Sequence, residues 1–479
     1  MIRKMNQKIE NIALIEPRAP DLHEFSKVNL PRLGLPILGS ILDKLGKEVK
    51  VFCEEIRGFD WDQLLDVELV GISSLTSTAP RAYEIAKRIK EEAKRRGKEI
   101  SIVMGGPHFS FLPEEALKNG ADFVIRGEGE QVFPRLIKSL ESGKGIKEIA
   151  GLSYQAKNGS FKHNDQGSLV EDLDHLPRPD LSLIEGSEDL KMIPIQTTRG
   201  CPYDCEFCAV VQMFGHQYRQ RSLEKVLADL SYYHEKHPDL PVFFYDDNFT
   251  ANTERTKTLL REMKRRNIVP PEWSAQARIS VAENEELLSL MENTGCNRVY
   301  IGIESINPTT LEEYNKQQNL KQIEKGLDKI HNHGIAIHGM FVLGGETDTP
   351  DTIRETTEFA LDKGIDTAQF LALTPIPGTE TFRKLRQAGR ILMDQVQDWQ
   401  YFDGHHVVFE PHSMSPVELQ RALIRANSKF YSWGRALKWA FKGKLTNSMF
   451  AFYGRRIVNK WKKHNQNYMT NLKLDTTSQ

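Results

Sequence analysis

The stretch "MIPIQTTRGCPYDCEFC", Met192–Cys208, decides how the chain is read. An apolar run ends in a glycine, and three of the chain's five cysteines follow within eight positions. Cys201, Cys205 and Cys208 have the spacing C-x3-C-x2-C. Thiolates this close on one tight loop suit an iron–sulfur cluster, whereas a structural zinc takes four protein ligands. No fourth cysteine is near, and His216 is the only close histidine, eight residues on. On a [4Fe–4S] cluster, three thiolates leave one iron open to an exogenous ligand. A zinc site or an unliganded loop is the alternative that spacing alone leaves. Cys53, in a strand, and Cys296, in "NTGCNRV", read as small buried residues.

Outward from this loop, residues 192–389 alternate strand and helix. The strands are "MIPIQTT", "PVFFYDD", "EWSAQAR", "RVYIGIE", "IAIHGMFVL" and "DTAQFLAL". Six such units in series predict a partial or full β/α barrel, whose chemistry sits in the loops after the strands. Here those loops read "TRGCPYDCEFC", "DDNFT", "ARIS", "IES", "GGETD" and "TPIPGT". Upstream, residues 1–150 also alternate, with strands in "NIALIEP", "EVKVFCEE", "VELVGISS", "EISIVMGG" and "ADFVIRG". Five strands with helices between them predict a doubly wound parallel sheet, which binds ligands at the carboxyl ends of its strands. The turns there, "GISSLTST", "VMGGPHFS" and "IRGEGEQ", combine hydroxyls with glycines that let the backbone approach a ligand. Each is also an ordinary strand-to-helix turn in form; three on one face point to a pocket. No GxGxxG follows the first strand, which disfavours a dinucleotide. Residues 151–190 read as a hairpin, "GLSYQAKNGSFKHND", and a Pro-rich linker, "LPRPD". Residues 391–479 form a C-terminal extension with basic, aromatic helices. "GHH", 404–406, reads as a turn entering a strand and not as a metal site.

"RGCPYDCEFC" after the first barrel strand, with the aromatic Phe207 before the last cysteine, resembles the radical S-adenosylmethionine (radical SAM) superfamily. A doubly wound domain ahead of such a barrel, with "GGPH", "RGEGE" and "GLSY", resembles its cobalamin-binding branch. The similarity covers roughly residues 10–415. It implies three cofactors: a [4Fe–4S] cluster on Cys201, Cys205 and Cys208, S-adenosylmethionine on the open iron, and cobalamin. The resemblance places Asp246, Asp247 and Asn248 at the methionyl amino group, where acceptors suit an ammonium; an acid there can instead cap the following helix. Glu304 and Ser305, with Gly344, Gly345 and Glu346, match the fourth- and fifth-strand cofactor loops. Ser73, Ser74, Thr76, Gly105, Gly106, His108, Gly127, Glu128 and Gly129 fall in the turns expected to contact cobalamin. Many cobalamin domains carry D-x-H-x-x-G, whose histidine binds cobalt. This chain has none in its first half, so no histidine is expected to bind cobalt from below.

The implied reaction is methylation of an unactivated carbon. A 5′-deoxyadenosyl radical takes a hydrogen atom, and the substrate radical takes methyl from methylcobalamin. Cyclisation or rearrangement without methylation is the alternative within the family, because fold does not set outcome. A non-enzymatic cobalamin or redox sensor would have no use for an intact cysteine motif. A methylthiotransferase would need more cysteines in the first domain than Cys53. The resemblance also implies an external electron donor of flavodoxin or ferredoxin type, with a small-molecule or lipid substrate.

Composition agrees. A net charge of −1 over 479 residues asks for no polyanionic partner. No basic-then-apolar signal opens the chain, and no apolar run approaches the ~20 residues that span a bilayer. A cytoplasmic protein is expected, with peripheral contact to the inner membrane face. That contact is read from the tail: Leu419–Leu474 holds thirteen Lys/Arg and no Asp/Glu, while the rest carries 51 basic and 65 acidic groups, a balance of −14. Interleaved aromatics make "LKWAFKGKLTNSMFAFYGRRIVNKWKK" an interfacial segment. "SPVELQRALIRANSKFYSWGRAL" reads instead as a helix covering the barrel's open edge. On this reading a docked barrel draws a lipid or isoprenoid substrate from the bilayer. Nucleic acid, which cations and aromatics also suit, is not expected, since no RNA-binding module is present.

Overall fold

The computed structural model describes residues 8–19 and 30–475. The first sheet holds β1 (Asn11–Glu16), β2 (Glu48–Cys53), β3 (Leu69–Ser73), β4 (Ser101–Gly105) and β5 (Phe123–Ile125), all parallel, in the order β2-β1-β3-β4-β5. β1, β3, β4 and β5 are short buried apolar runs because helices cover both faces, whereas the edge strand β2 opens with alternation, Glu48 and Lys50 being exposed. The helix Ala79–Arg95 shows the complement. It turns Ala82, Tyr83, Ile85, Ala86, Ile89 and Ala93 onto the sheet and its Lys, Arg and Glu to water. The order reverses between β1 and β3, the switch point at which such sheets bind ligands.

The hairpin expected at 151–165 forms as β6 (Leu152–Gln155) and β7 (Phe161–His163). It extends the first sheet, pairing antiparallel with β5 instead of standing in the linker. The linker packs back too: Leu183 lies against Gly39, where a Cβ would meet its Cδ1 at 2.9 Å.

The second sheet is built from β8 (Ile193–Ile195), then, after a two-stranded hairpin of β9 (Thr198–Arg199) and β10 (Arg219–Gln220), from β11 (Val242–Phe244), β12 (Trp273–Ala277), β13 (Cys296–Glu304), β14 (Ala336–Leu343) and β15 (Thr367–Ala372). All six pair in parallel in sequence order, giving an open partial barrel with β8 and β15 as its edges. Phe244 stacks on Phe249 at 4.3 Å beside the fully buried Trp273, whose indole N–H donates to the Thr294 carbonyl at 2.7 Å.

An unpaired edge strand leaves backbone groups that must find partners. Along β15 the C-terminal extension supplies them. The Tyr431 hydroxyl donates to the Ala368 carbonyl at 2.6 Å and accepts from its N–H at 3.0 Å. Asn427 donates to the Phe370 carbonyl, and the Ala372 N–H donates to the Gly404 carbonyl at 2.7 Å. The helix Pro416–Phe430 thus closes the barrel edge, as its sequence predicts. His406, in the "GHH" turn, is buried between Asp403 and Asn465 at 3.0 Å each.

Candidate cluster and cofactor site

The three cysteines lie in one loop that leaves the carboxyl end of β8, crosses at β9 and returns at β10. Gly200 starts the excursion at φ +83°, and a Cβ there would sit 2.5 Å from the Gln217 carbonyl oxygen, so the two ends of the loop close only over a glycine. Cys201, Cys205 and Cys208 are all half-buried and unbridged, and the charge of Cys205 opposes ionisation of both Cys201 and Cys208. Burial, first of all, lifts the Cys208 thiol to about 12 and raises Cys201 as well. Among the described residues no three Cys, His or acidic groups converge on a single-ion position. A cluster does not ask for that, because each thiolate binds a different iron, and bound iron supplies the charge that holds buried thiolates ionised. The donor set therefore fits three ligands of one [4Fe–4S] cluster.

Neighbouring elements hold the loop. Phe207 packs edge-on to Tyr314 at 5.2 Å, and Asn315 donates to the Asp204 carbonyl at 2.9 Å. The Arg278 guanidinium stacks on Tyr203 at 3.8 Å and donates to the Lys316 carbonyl.

After β11 the two adjacent acids part company. Asp246 is fully buried and turned inward: Oδ1 accepts from the Thr197 and Thr198 amides and Oδ2 from the Thr197 hydroxyl, each at 2.7 Å. It thereby fixes the strand end from which the cysteine loop departs, and it caps no helix; Asn252 does that. Asp247 turns outward to solvent yet is ringed by protein. Desolvation, then the charge of Asp246, lifts its carboxyl to about 6. Its charge is felt at Cys201 and Cys208, so it is the acid of the pair that faces the cysteines. Asn248 is buried, its carbonyl accepting from the Tyr218 hydroxyl at 3.2 Å.

At the end of β13 a bulge puts Glu304 at φ +63°. Its carboxylate pairs with Lys316 Nζ at 2.7 Å, both buried, in space that a Cβ on Gly302 would occupy. Ser305 is buried and accepts from the Asn307 amide at 3.0 Å. After β14, Gly344 and Gly345 donate their N–H groups to Asp348 Oδ2 at 2.8 and 3.0 Å, and the Glu346 carboxylate pairs with Arg390 at 2.7 Å. Burial, then the charges of Glu346, Asp348 and Glu206, raises the nearby Glu313 carboxyl to about 7.

In the first sheet, Ser74 and Thr78 hydroxyls pair at 2.6 Å and the turn of Gly106, at φ +93°, presses on Ser73 and Ser74. Thr76 Oγ1 and His108 Nδ1 are buried without a protein partner, and Gly127 faces open space. Orphaned polar atoms beside bare glycine backbone suit a polar ligand such as cobalamin at this strand end. The His108 ring itself is enclosed: Nε2 faces Glu115 at 3.2 Å, and Phe109 and Trp399 pack on the ring at 5.4 Å. Burial lowers its pKa, keeping it neutral.

Glu128 has no acceptor left for a ligand. Its oxygens take Arg199 at 3.0 Å, Arg219 twice at 2.9 Å and the Val170 amide at 2.6 Å, and Glu130 takes the other end of Arg199 at 2.6 Å. Arg199 lies on β9 and Arg219 on β10, so the "RGEGE" turn of the first domain grips both ends of the cysteine loop. Sequence reasoning passed over both arginines, as it did Arg278 and Lys316. The available signal was two arginines flanking a cysteine loop in a chain with an unspent E-G-E. Gly378, after β15, faces Phe111, where a Cβ would meet the ring at 2.5 Å, so the carboxyl ends of the two sheets meet.

The chain matches the Radical SAM superfamily over residues 195–360 and the B12 binding domain over residues 27–137. It is 30% identical over 413 residues to an uncharacterized methyltransferase of Pyrococcus horikoshii, covering 84% of this chain and 88% of that one. It is also 30% identical to the bacteriochlorophyllide d C-12(1)-methyltransferase of Chlorobaculum tepidum, covering 79% and 78%. It is 26% identical to the hopanoid C-2 methylase of Rhodopseudomonas palustris, covering 76% and 66%. Its fold resembles the radical SAM methyltransferase TsrM of Kitasatospora setae, solved with cobalamin and a [4Fe–4S] cluster, at 21% identity and TM-score 0.66 over 86% of this chain and 81% of that one. It also resembles the cobalamin-dependent radical enzyme OxsB, at 17% identity and TM-score 0.72 over 94% and 72%. The cysteine loop, the partial barrel and the doubly wound domain clamped to it thus come together as one assembly, and the chain belongs to the cobalamin-binding radical SAM family, whose cofactors are a [4Fe–4S] cluster, S-adenosylmethionine and cobalamin.

Proposed function

We propose that the protein methylates an unactivated carbon of a lipid or isoprenoid, working at a membrane surface with electrons from an external flavodoxin- or ferredoxin-type donor. Methyl transfer is supported by the 30% identical methyltransferases, and the observation that brings two cofactors to one substrate is the grip of Glu128 and Glu130 on Arg199 and Arg219, which holds the carboxyl end of the first sheet against the cysteine loop. Surfaces for two cofactors that share one substrate must open on one cleft, and this clamp joins them. When bound, the cluster with S-adenosylmethionine supplies the radical that removes a hydrogen atom, and cobalamin supplies the methyl group.

The chain's own residues hold and shield. Cys201, Cys205 and Cys208 bind the cluster; Asp247 accepts the methionyl ammonium; Ser305 and the close-packed Gly344–Gly345 backbone admit the rest of S-adenosylmethionine. Asp246 and the Glu304–Lys316 pair keep those loops in place. Thr76 and the backbone at Gly105, Gly106, Gly127 and Gly129 receive cobalamin. The lipid class is supported by the likeness to a hopanoid methylase. Mass spectrometry after turnover with methyl-labelled S-adenosylmethionine and a candidate lipid pool tests the reading. The expected product carries the label on carbon. Formation of 5′-deoxyadenosine with an altered but unlabelled product would assign cyclisation or rearrangement instead.

A further inference from the structure

Seven of the nine large apolar side chains exposed among the described residues lie between positions 433 and 452. They sit on two helices, Trp433–Phe441 and Leu445–His464, that fold back on each other through Gly443 at φ +72°. Phe441 is 90% exposed, Met449 72%, Leu445 65% and Leu437 60%. Packing divides the tail elsewhere than between the edge-covering and interfacial stretches read from the sequence: Trp433 and Leu437 of the first are exposed. Phe430, Tyr431 and Trp461 are buried, as are Ala451, Gly454, Ile457 and Val458. Only the amino-terminal half of the hairpin stands proud. Lys438, Lys442 and Lys444 are exposed among its apolar residues, and no acid lies between Leu419 and Leu474.

The hairpin is held firmly. Asn447 donates to Asp366 at 2.6 Å, Arg435 donates to the Ile365 carbonyl, Arg298 stacks on Phe450 at 4.7 Å, and the Ser448 hydroxyl donates to the Ala436 carbonyl at 2.8 Å. Ile365 and Asp366 precede β15, and Arg298 lies near the start of β13. The patch therefore sits at the amino end of the barrel strands, while the cysteine loop leaves their carboxyl end.

We propose that this hairpin tip is a tether to an anionic bilayer, and that it holds the barrel with its cofactor mouth on the side away from the lipid. The proposal deepens the membrane contact named above and rests on it. Apolar side chains interspersed with lysines on helices that carry no acid match an interface of anionic headgroups over acyl chains. The same charge disfavours a second copy, since two such tips repel. Phe, Leu and Met at the most exposed positions suit insertion better than the base stacking that single-stranded nucleic acid would need. The orientation departs from the expectation that docking turns the barrel mouth to the bilayer: the tip and the cysteine loop lie at opposite strand ends.

The test is co-sedimentation of the full chain with vesicles of phosphatidylcholine plus phosphatidylglycerol, against phosphatidylcholine alone. Two variants accompany it, Phe441→Ser with Met449→Ser and Lys442→Glu with Lys444→Glu. The full chain is expected to prefer the anionic vesicles, and to weaken as salt shortens the Debye length from ~10 Å at 0.1 M to ~3 Å at 1 M. The apolar variant is expected to lose on the order of tenfold or more in partitioning at both salts. The charge variant is expected to lose about tenfold at low salt and little at high salt. Both are expected to form 5′-deoxyadenosine at the unmodified rate, so loss of docking is read apart from any failure of the radical chemistry. No binding to anionic vesicles at low salt, or equal binding by the apolar variant, would overturn the tether. So would a dimer that only the apolar variant dissolves, or tight binding to a single-stranded oligonucleotide lost in the same variant. A lipid-embedded quencher that dims a fluorophore beside the cysteine loop as strongly as one at position 445 would overturn the orientation.

Discussion

Cys205 is the middle of the three thiols, and nothing else in its loop can replace it: the other two cysteines of the chain, Cys53 and Cys296, are buried in the cores of the two sheets. Cys205→Ala is expected to lose iron and all reductive cleavage of S-adenosylmethionine. Iron analysis and 5′-deoxyadenosine chromatography read this directly, and four irons with full cleavage would refute the ligand assignment. At this scale the cysteines were legible because their spacing is itself the chemistry. Asp246 and Asp247 were not separable in sequence, being adjacent acids in one loop. Only the fold shows that one is taken up by the Thr197 and Thr198 amides while the other, lifted to about 6, faces the cysteines.

Among elements, the β9–β10 hairpin has the largest effect for its size. Its two strands are two residues each, too short to leave any periodicity, so it could not be read beforehand. The six barrel strands and five doubly wound strands could, since nearly all are buried apolar runs between turn signals and β2 alternates exposed Glu48 and Lys50 with buried Val49 and Val51. Gly200→Ala places a Cβ 2.5 Å from a carbonyl oxygen and forces an L residue to φ +83°, at a cost of about 1–2 kcal/mol for the left-handed backbone alone. Cluster content is expected to fall far more than the melting temperature, and equal falls in both would show that the hairpin supports the whole barrel instead. The tail hairpin makes a pH prediction. Burial pushes the Asp366 carboxyl up, but hydrogen bonds from His331, the Ile337 amide and Asn447 outweigh it and leave it below its usual range. A depressed carboxyl stabilises above its unfolded pKa of ~3.9 and loses that contribution as pH falls through the lower folded value. Tryptophan emission from Trp433 and Trp439 is expected to shift in that acid window as the hairpin loosens, a step that Asp366→Asn should lack.

For the molecule as a whole, the decisive contact joins residues 71 and 91 positions apart in the chain, Glu128 with Arg199 and Arg219. No local pattern pairs them, which is why Glu128 reads in sequence as a cofactor contact. Likewise the tail's cations and aromatics were legible, but not which aromatics the barrel buries, nor at which end of the strands the rest emerge. Removing Glu128 leaves the buried Arg219 charged and without a carboxylate, while Arg199 keeps Glu130; breaking such a buried pair costs about 3–5 kcal/mol. Glu128→Ala is expected to lower unfolding stability by that amount, measured in urea at constant slope; a change under about 1 kcal/mol would mean the arginines find other acceptors. The clamp also has a mechanical consequence. Because one carboxylate seizes both the outgoing and the returning strand, any rocking of the first domain pulls the two ends of the cysteine loop in the same direction. The barrel holds the same loop through Asp246 and Tyr314, so a pull from the first domain is shared by both of its ends and does not pry them apart.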